Sequence, residues 1–104
     1  MNDERRQHPR VARPFEGNWK GASGMTRCRI ADISIGGCFV QTLAMPVAGE
    51  TTAVTIAFGE SHSLMFTGTV VYVDPGMGFA VQFKPLESEQ AGELRRLLDA
   101  LIAQ

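Results

Sequence analysis

A chain of 104 residues holds one domain with one modest core and has no room for a second domain of ordinary size. With 44% apolar and 20% charged residues it is excluded from the disordered and membrane-embedded classes, which lie at the extremes of those two quantities. The net charge of -1 is unevenly spread: residues 1–29 carry seven arginines and lysines against three acids, and the remainder carries three against eight.

A positive end on an acidic body favours a local anionic ligand over a long nucleic acid, which needs a broader basic face. Apolar runs are a few residues long, far below the ~20 that span a bilayer. Met1–Arg6 lacks the apolar core of a signal peptide, so the expectation is a cytoplasmic protein with no membrane partner. Cys28 and Cys38 are the only cysteines and form no Cys-x-x-Cys pair. In a reducing compartment they read as small packing residues. His8 and His62 stand alone, so neither a metal centre nor a resident cofactor is expected. No Ser/His/Asp or Cys/His set, carboxylate pair or phosphate-cradling loop is present, which points away from an enzyme.

Residues 1–12 have no apolar periodicity, and Pro9 biases His8 away from helix. They read as a flexible arginine-rich arm ahead of a domain spanning 13–104. Phe15, Gly17 and Trp19 alternate with polar residues in a first strand, which places Trp19 in the core, and Gly21–Gly24 reads as a turn. Met25–Ile33 is a second strand with Cys28 and Ile30 on one face. Simple alternation would carry Asp32 and Ser34 onto that same inward face, where an unpaired carboxylate is costly. A bulge near Ala31 that turns both outward resolves the conflict.

Gly36-Gly37 marks a reversal, and Cys38–Gln41 forms a short third strand. After a loop bounded by Pro46 and Gly49, Val54, Ile56 and Phe58 alternate in a fourth strand. Leu64–Val73 is a long fifth strand, whose end Val70–Val73 is apolar on both faces and needs a cover. Asp74-Pro75-Gly76 suits a tight turn, and Phe79, Val81 and Phe83 make a sixth strand. From about 87 to 103 the period becomes helical: Ala91, Leu94, Leu98 and Leu101 share a stripe, widened by Leu97 and Ile102. That stripe is expected to cover either the two-sided end of the fifth strand or a barrel mouth. The fold class is therefore mainly β, a six-stranded antiparallel barrel with a C-terminal helix.

Two stretches carry chemistry. Asp32-Ile33-Ser34-Ile35-Gly36-Gly37 sets an acid and a hydroxyl two residues apart, on one side of an extended chain, ahead of a glycine pair that admits close approach. Arg5-Arg6-Gln7-His8-Pro9-Arg10 supplies planar guanidinium forks that match phosphate oxygens and the O6/N7 edge of guanine. Arg6–Arg10 fits RxxxR, with Arg5 as an extra arginine in front, and Asp32–Gly37 fits [DN]xSxxG about twenty residues later. Together, in this order and before an all-β chain, they resemble the PilZ domain, a bacterial receptor module for cyclic di-GMP. The segment Gly78–Phe83 is similar to the closing strand of that family.

The resemblance implies a six-stranded barrel with a C-terminal helix, cyclic di-GMP as ligand, and contacts from Arg5, Arg6, Arg10, Asp32, Ser34 and Gly37. It also implies that an intercalated ligand dimer can be held, and that a separate effector protein, whose identity the sequence does not give, receives the signal. Asp32, an acceptor only when ionised, is matched to the N1/N2 donor edge of guanine, and Gly37 to clearance. Arg13, Arg27 and Arg29 are candidates for the rim. The competing readings are an interaction module of the same fold without nucleotide binding, and a small barrel for single-stranded nucleic acid. The latter needs stacking aromatics, which here fall mainly on core positions.

Overall fold

The computed structural model describes residues 14–21, 24–59 and 62–102. Six strands and one helix follow in order: β1 Phe15–Gly21, β2 Gly24–Ser34, β3 Gly37–Gln41, β4 Thr51–Ala57, β5 Ser63–Asp74, β6 Gly78–Phe83 and α1 Ser88–Ile102. All neighbouring pairs are antiparallel, and the order β1-β2-β3-β6-β5-β4 closes on itself as β1 pairs with β4. Closure leaves no strand edge unpaired within the barrel.

The period-2 pattern sets which side chains fill the interior. Phe15, Trp19, Ile30, Ile33, Val40, Val54, Ile56, Phe66, Val70, Phe79 and Val81 are all buried. Trp19 meets Phe79 edge-on at 4.9 Å, and Phe66 stacks on Phe83 at 4.5 Å. Among the described residues, the Trp19 Nε1–H is a buried donor with no hydrogen-bond partner. Thr52, though polar, sits inside because its hydroxyl donates to the Lys20 carbonyl at 2.8 Å.

The helix takes the second of its two expected places. Leu94 and Leu98 are buried in the same core as Phe15, with Leu101 and the half-buried Phe58 and Leu64 packed against it. The Gln90 side-chain amide donates to the Met65 carbonyl, and His62 Nε2 lies 2.8 Å from a Glu93 oxygen. The helix therefore lids the mouth at the start of β1 and β5. The two-sided end of β5 stays uncovered: Val71 and Tyr72 are 46% and 55% exposed. The register between β5 and β6 shifts between Val70 and Tyr72, so Val71 is the extra residue of a bulge and escapes the apolar interior. A run of four apolar residues signalled a two-sided burial that the bulge makes unnecessary.

Candidate functional site

The site begins with one surplus residue. In the β2–β3 ladder Ile30 pairs with Val40 and Asp32 with Phe39, so Ala31 has no partner and the strand bulges there. Ahead of the bulge even-numbered side chains point inward, as Ile30 does; beyond it Ile33 takes that role. Asp32 and Ser34 are thereby moved to the outer face, as the burial cost of a carboxylate requires. They differ in cover, however, since Asp32 is half-buried whereas Ser34 is buried. Ser34 Oγ accepts a hydrogen bond from the Gly36 N–H at 3.2 Å and so holds the Ile35–Gly36 turn as well as facing outward.

Register then extends both residues into rows across four strands. Asp32 pairs with Phe39, Phe39 with Ala80, and Ala80 with Tyr72. Ser34 pairs with Gly37, Gly37 with Gln82, and Gln82 with Thr69. With strands ~4.8 Å apart each row spans roughly 15 Å. Small Ala80 lets the rings of Phe39 and Tyr72 lean together over it, with centroids 6.3 Å apart. The outer face thus carries a carboxylate at one end, an aromatic pair running from its neighbour to the far end, and a hydroxyl and amide row alongside. Neither row contains a cation.

Arg29 heads the next row, paired with Gln41, which in turn pairs with Gly78. It is exposed, one row beyond the Ala31 bulge from Asp32. Arg27 lies farther along β2, opposite Asn18 of β1, and away from Asp32. Gly37 has a reason within the fold: a Cβ there would run into the Val81 carbonyl oxygen. Phe39, Tyr72, Gln82 and Thr69 were not selected from the sequence as site residues. Their signal was available in the alternation of β3, β5 and β6, but their alignment with Asp32 and Ser34 depends on both bulges. The expectation that aromatics are mainly interior holds for Phe15, Trp19, Phe66, Phe79 and Phe83, and fails for Phe39 and Tyr72.

Arg5, Arg6 and Arg10 lie outside the described residues, as does the whole of the expected arm, 1–12. The chain enters the described part at Pro14. Phe15 pairs with Ile30, which brings this entry point beside the Ala31 bulge and next to Asp32. Among the described residues no group of three or more His, Cys, Asp or Glu could hold a metal ion, and no helix is long and apolar enough to cross a membrane.

Residues 4–100 match the family model described as the PilZ domain. No curated protein matches the chain. Among solved structures, it resembles YcgR in complex with c-di-GMP from Escherichia coli, with a TM-score of 0.81 at 20% identity over 95% of this chain and 46% of that one. The PilZ domain of YcgR with c-di-GMP from the same organism gives 0.76 at 19% identity, covering 95% and 92%. The MrkH–c-di-GMP complex of K. pneumonia gives 0.73 at 20%, covering 94% and 52%. The chain thus spans about half the length of the YcgR and MrkH chains, and at these identities the likeness is one of fold.

Proposed function

This chain belongs to the PilZ domain family, and from that premise we propose that it is a cyclic di-GMP receptor that signals through a separate effector protein. The observation that carries the proposal is the Ala31 bulge, which sets Asp32 and Ser34 outward, Asp32 in register with Phe39 and Tyr72, beside the point where the arm joins. Solved relatives of the same fold are complexes with c-di-GMP.

The ligand has two phosphodiester charges and two guanines. Asp32 accepts from the guanine N1/N2 edge, Ser34 donates to phosphate or accepts from a base, and Gly37 keeps the ledge low. Phe39 and Tyr72 offer ring faces for a base to stack on. The two rows bring a carboxylate and no cation to a doubly anionic ligand. The neutralising charge falls to Arg5, Arg6 and Arg10, with Arg29 at the rim. Reach is sufficient: an extended chain advances ~3.3–3.6 Å per residue, so Arg10, four residues before Pro14, is within roughly 14 Å of it.

Ligand phosphates draw the arginines to the ledge, and the arm and ligand together form the surface that an effector reads. Cytoplasmic action, receptor rather than catalytic chemistry, and an output in motility, surface attachment or biosynthesis belong to the same proposal.

Titration calorimetry tests it. Cyclic di-GMP binds, and cyclic di-AMP binds far more weakly because adenine reverses the donor pattern at the base edge. Arg6→Ala and Arg10→Ala each lose more than ~1.5 kcal/mol of binding, the scale of a charge-assisted contact, with an unchanged circular dichroism spectrum. Full affinity in both variants rejects the arm as the clamp. Binding of single-stranded oligonucleotides without any binding of the cyclic dinucleotide assigns the face to nucleic acid instead.

A further inference from the structure

Between α1 and the barrel mouth lies an open, mainly apolar groove of about 560 Å³, lined by Pro14, Phe15, Phe58, Leu97 and Leu101 among others. It is separate from the rows that hold Asp32 and Ser34, and the ligand chemistry above makes no use of it. Two facts identify its occupant. Pro14, where the described chain begins, is itself part of the groove wall. Among residues 2–13, which precede it, Val11 is the one large apolar side chain, followed directly by Ala12. At ~3.3–3.6 Å per extended residue Val11 can lie no more than about 11 Å from Pro14. That distance keeps it within the neighbourhood of the groove and lets it bury its side chain there without drawing on the charged remainder of the arm.

We propose that Val11, with Ala12, docks in the groove between α1 and β1 as the root of the arm, and so fixes the point from which Arg10 and the arginines before it reach toward the Asp32 ledge. Val11 is then a positioning residue for the ligand site. An arm fixed at Val11 searches a smaller volume than one fixed at Pro14, so its arginines meet the ledge at a higher effective concentration. The docking stands on the groove and the chain alone; its consequence for affinity rests on the cyclic di-GMP proposal.

The test uses the full chain with leucine methyls labelled for NMR, without ligand. Val11→Ser shifts the methyls of Leu97 and Leu101 and leaves those of Leu43, at the far end of the barrel, in place, and Val11→Ile keeps the shifts of the parent. Calorimetry with cyclic di-GMP then gives about tenfold weaker binding for Val11→Ser and parent affinity for Val11→Ile, as expected from a lost local tether. Unmoved methyls in Val11→Ser overturn the docking. Methyl shifts that vary with protein concentration overturn it in favour of a second copy. Moved methyls with unchanged affinity overturn the positioning role. If the parent chain binds no cyclic di-GMP, the ligand proposal fails while the methyls still decide the docking.

Discussion

Gly37 shows how a motif residue can answer to the fold before it answers to a ligand. The Val81 carbonyl occupies the space a side chain would need, so Gly37→Ala should lose roughly 1–3 kcal/mol of stability, the usual penalty of overpacking. A thermal melt reads this directly, and an unshifted midpoint would show that the glycine has no duty in β3–β6 pairing. Cys28 carries the other residue-level prediction. Burial, and secondarily the negative charge of Glu16, push its thiol up to about 11. Thiolate is the reactive form, so alkylation of Cys28 in the native protein should stay slow at pH 8–9 and climb as pH passes through about 11. Because the folded state holds this proton after the unfolded chain has released it, the group favours folding below about 9 and withdraws that support as pH rises toward 11. Rapid modification of Cys28 at pH 8 would contradict the shift.

At the scale of elements, the two bulges decide what the outer sheet presents. Inserting one residue between Phe39 and Val40 gives Ala31 a partner and restores simple alternation in β2, sending Asp32 and Ser34 toward the interior or Ile30 out of it. The expected loss is at least roughly 2 kcal/mol, the lower end for removing one large aliphatic side chain from a core, together with loss of cyclic di-GMP binding. An insertion variant that melts and binds like the parent would remove the bulge from the account. The Ala31 bulge was legible in the sequence because a carboxylate in an inward position is a conflict that only a change of register resolves. The bulge at Val71 was not, since Val70-Val71-Tyr72-Val73 contains no polar residue to raise such a conflict. For the same reason the helix could not be assigned to one cover from its own stripe. Ala91, Leu94, Leu98 and Leu101 state that a face is buried and leave the opposing surface open. The Asp32 and Ser34 ledge was visible as a local pattern, with Phe39 across a short turn from it, whereas Tyr72 enters only through the Phe39–Ala80 pairing, which spans more than thirty residues of chain.

For the molecule as a whole, the barrel is complete without the arm: every strand from β1 to β6 has two neighbours among the described residues. Ligand binding should therefore leave the far-ultraviolet dichroism unchanged while raising the melting point. A free ligand concentration of about a hundred times Kd corresponds to about 2.7 kcal/mol of added stability. A large change in β signal on binding would mean that the barrel itself rearranges.

Trp19 is the chain's single tryptophan, sealed against Phe79 with its indole N–H out of reach of water. Its emission belongs at the blue end of the indole range and moves red only when the barrel opens. Events on the outer wall reach it weakly, so this protein carries a built-in optical gauge of its folded fraction, readable during any titration of that wall without a dye.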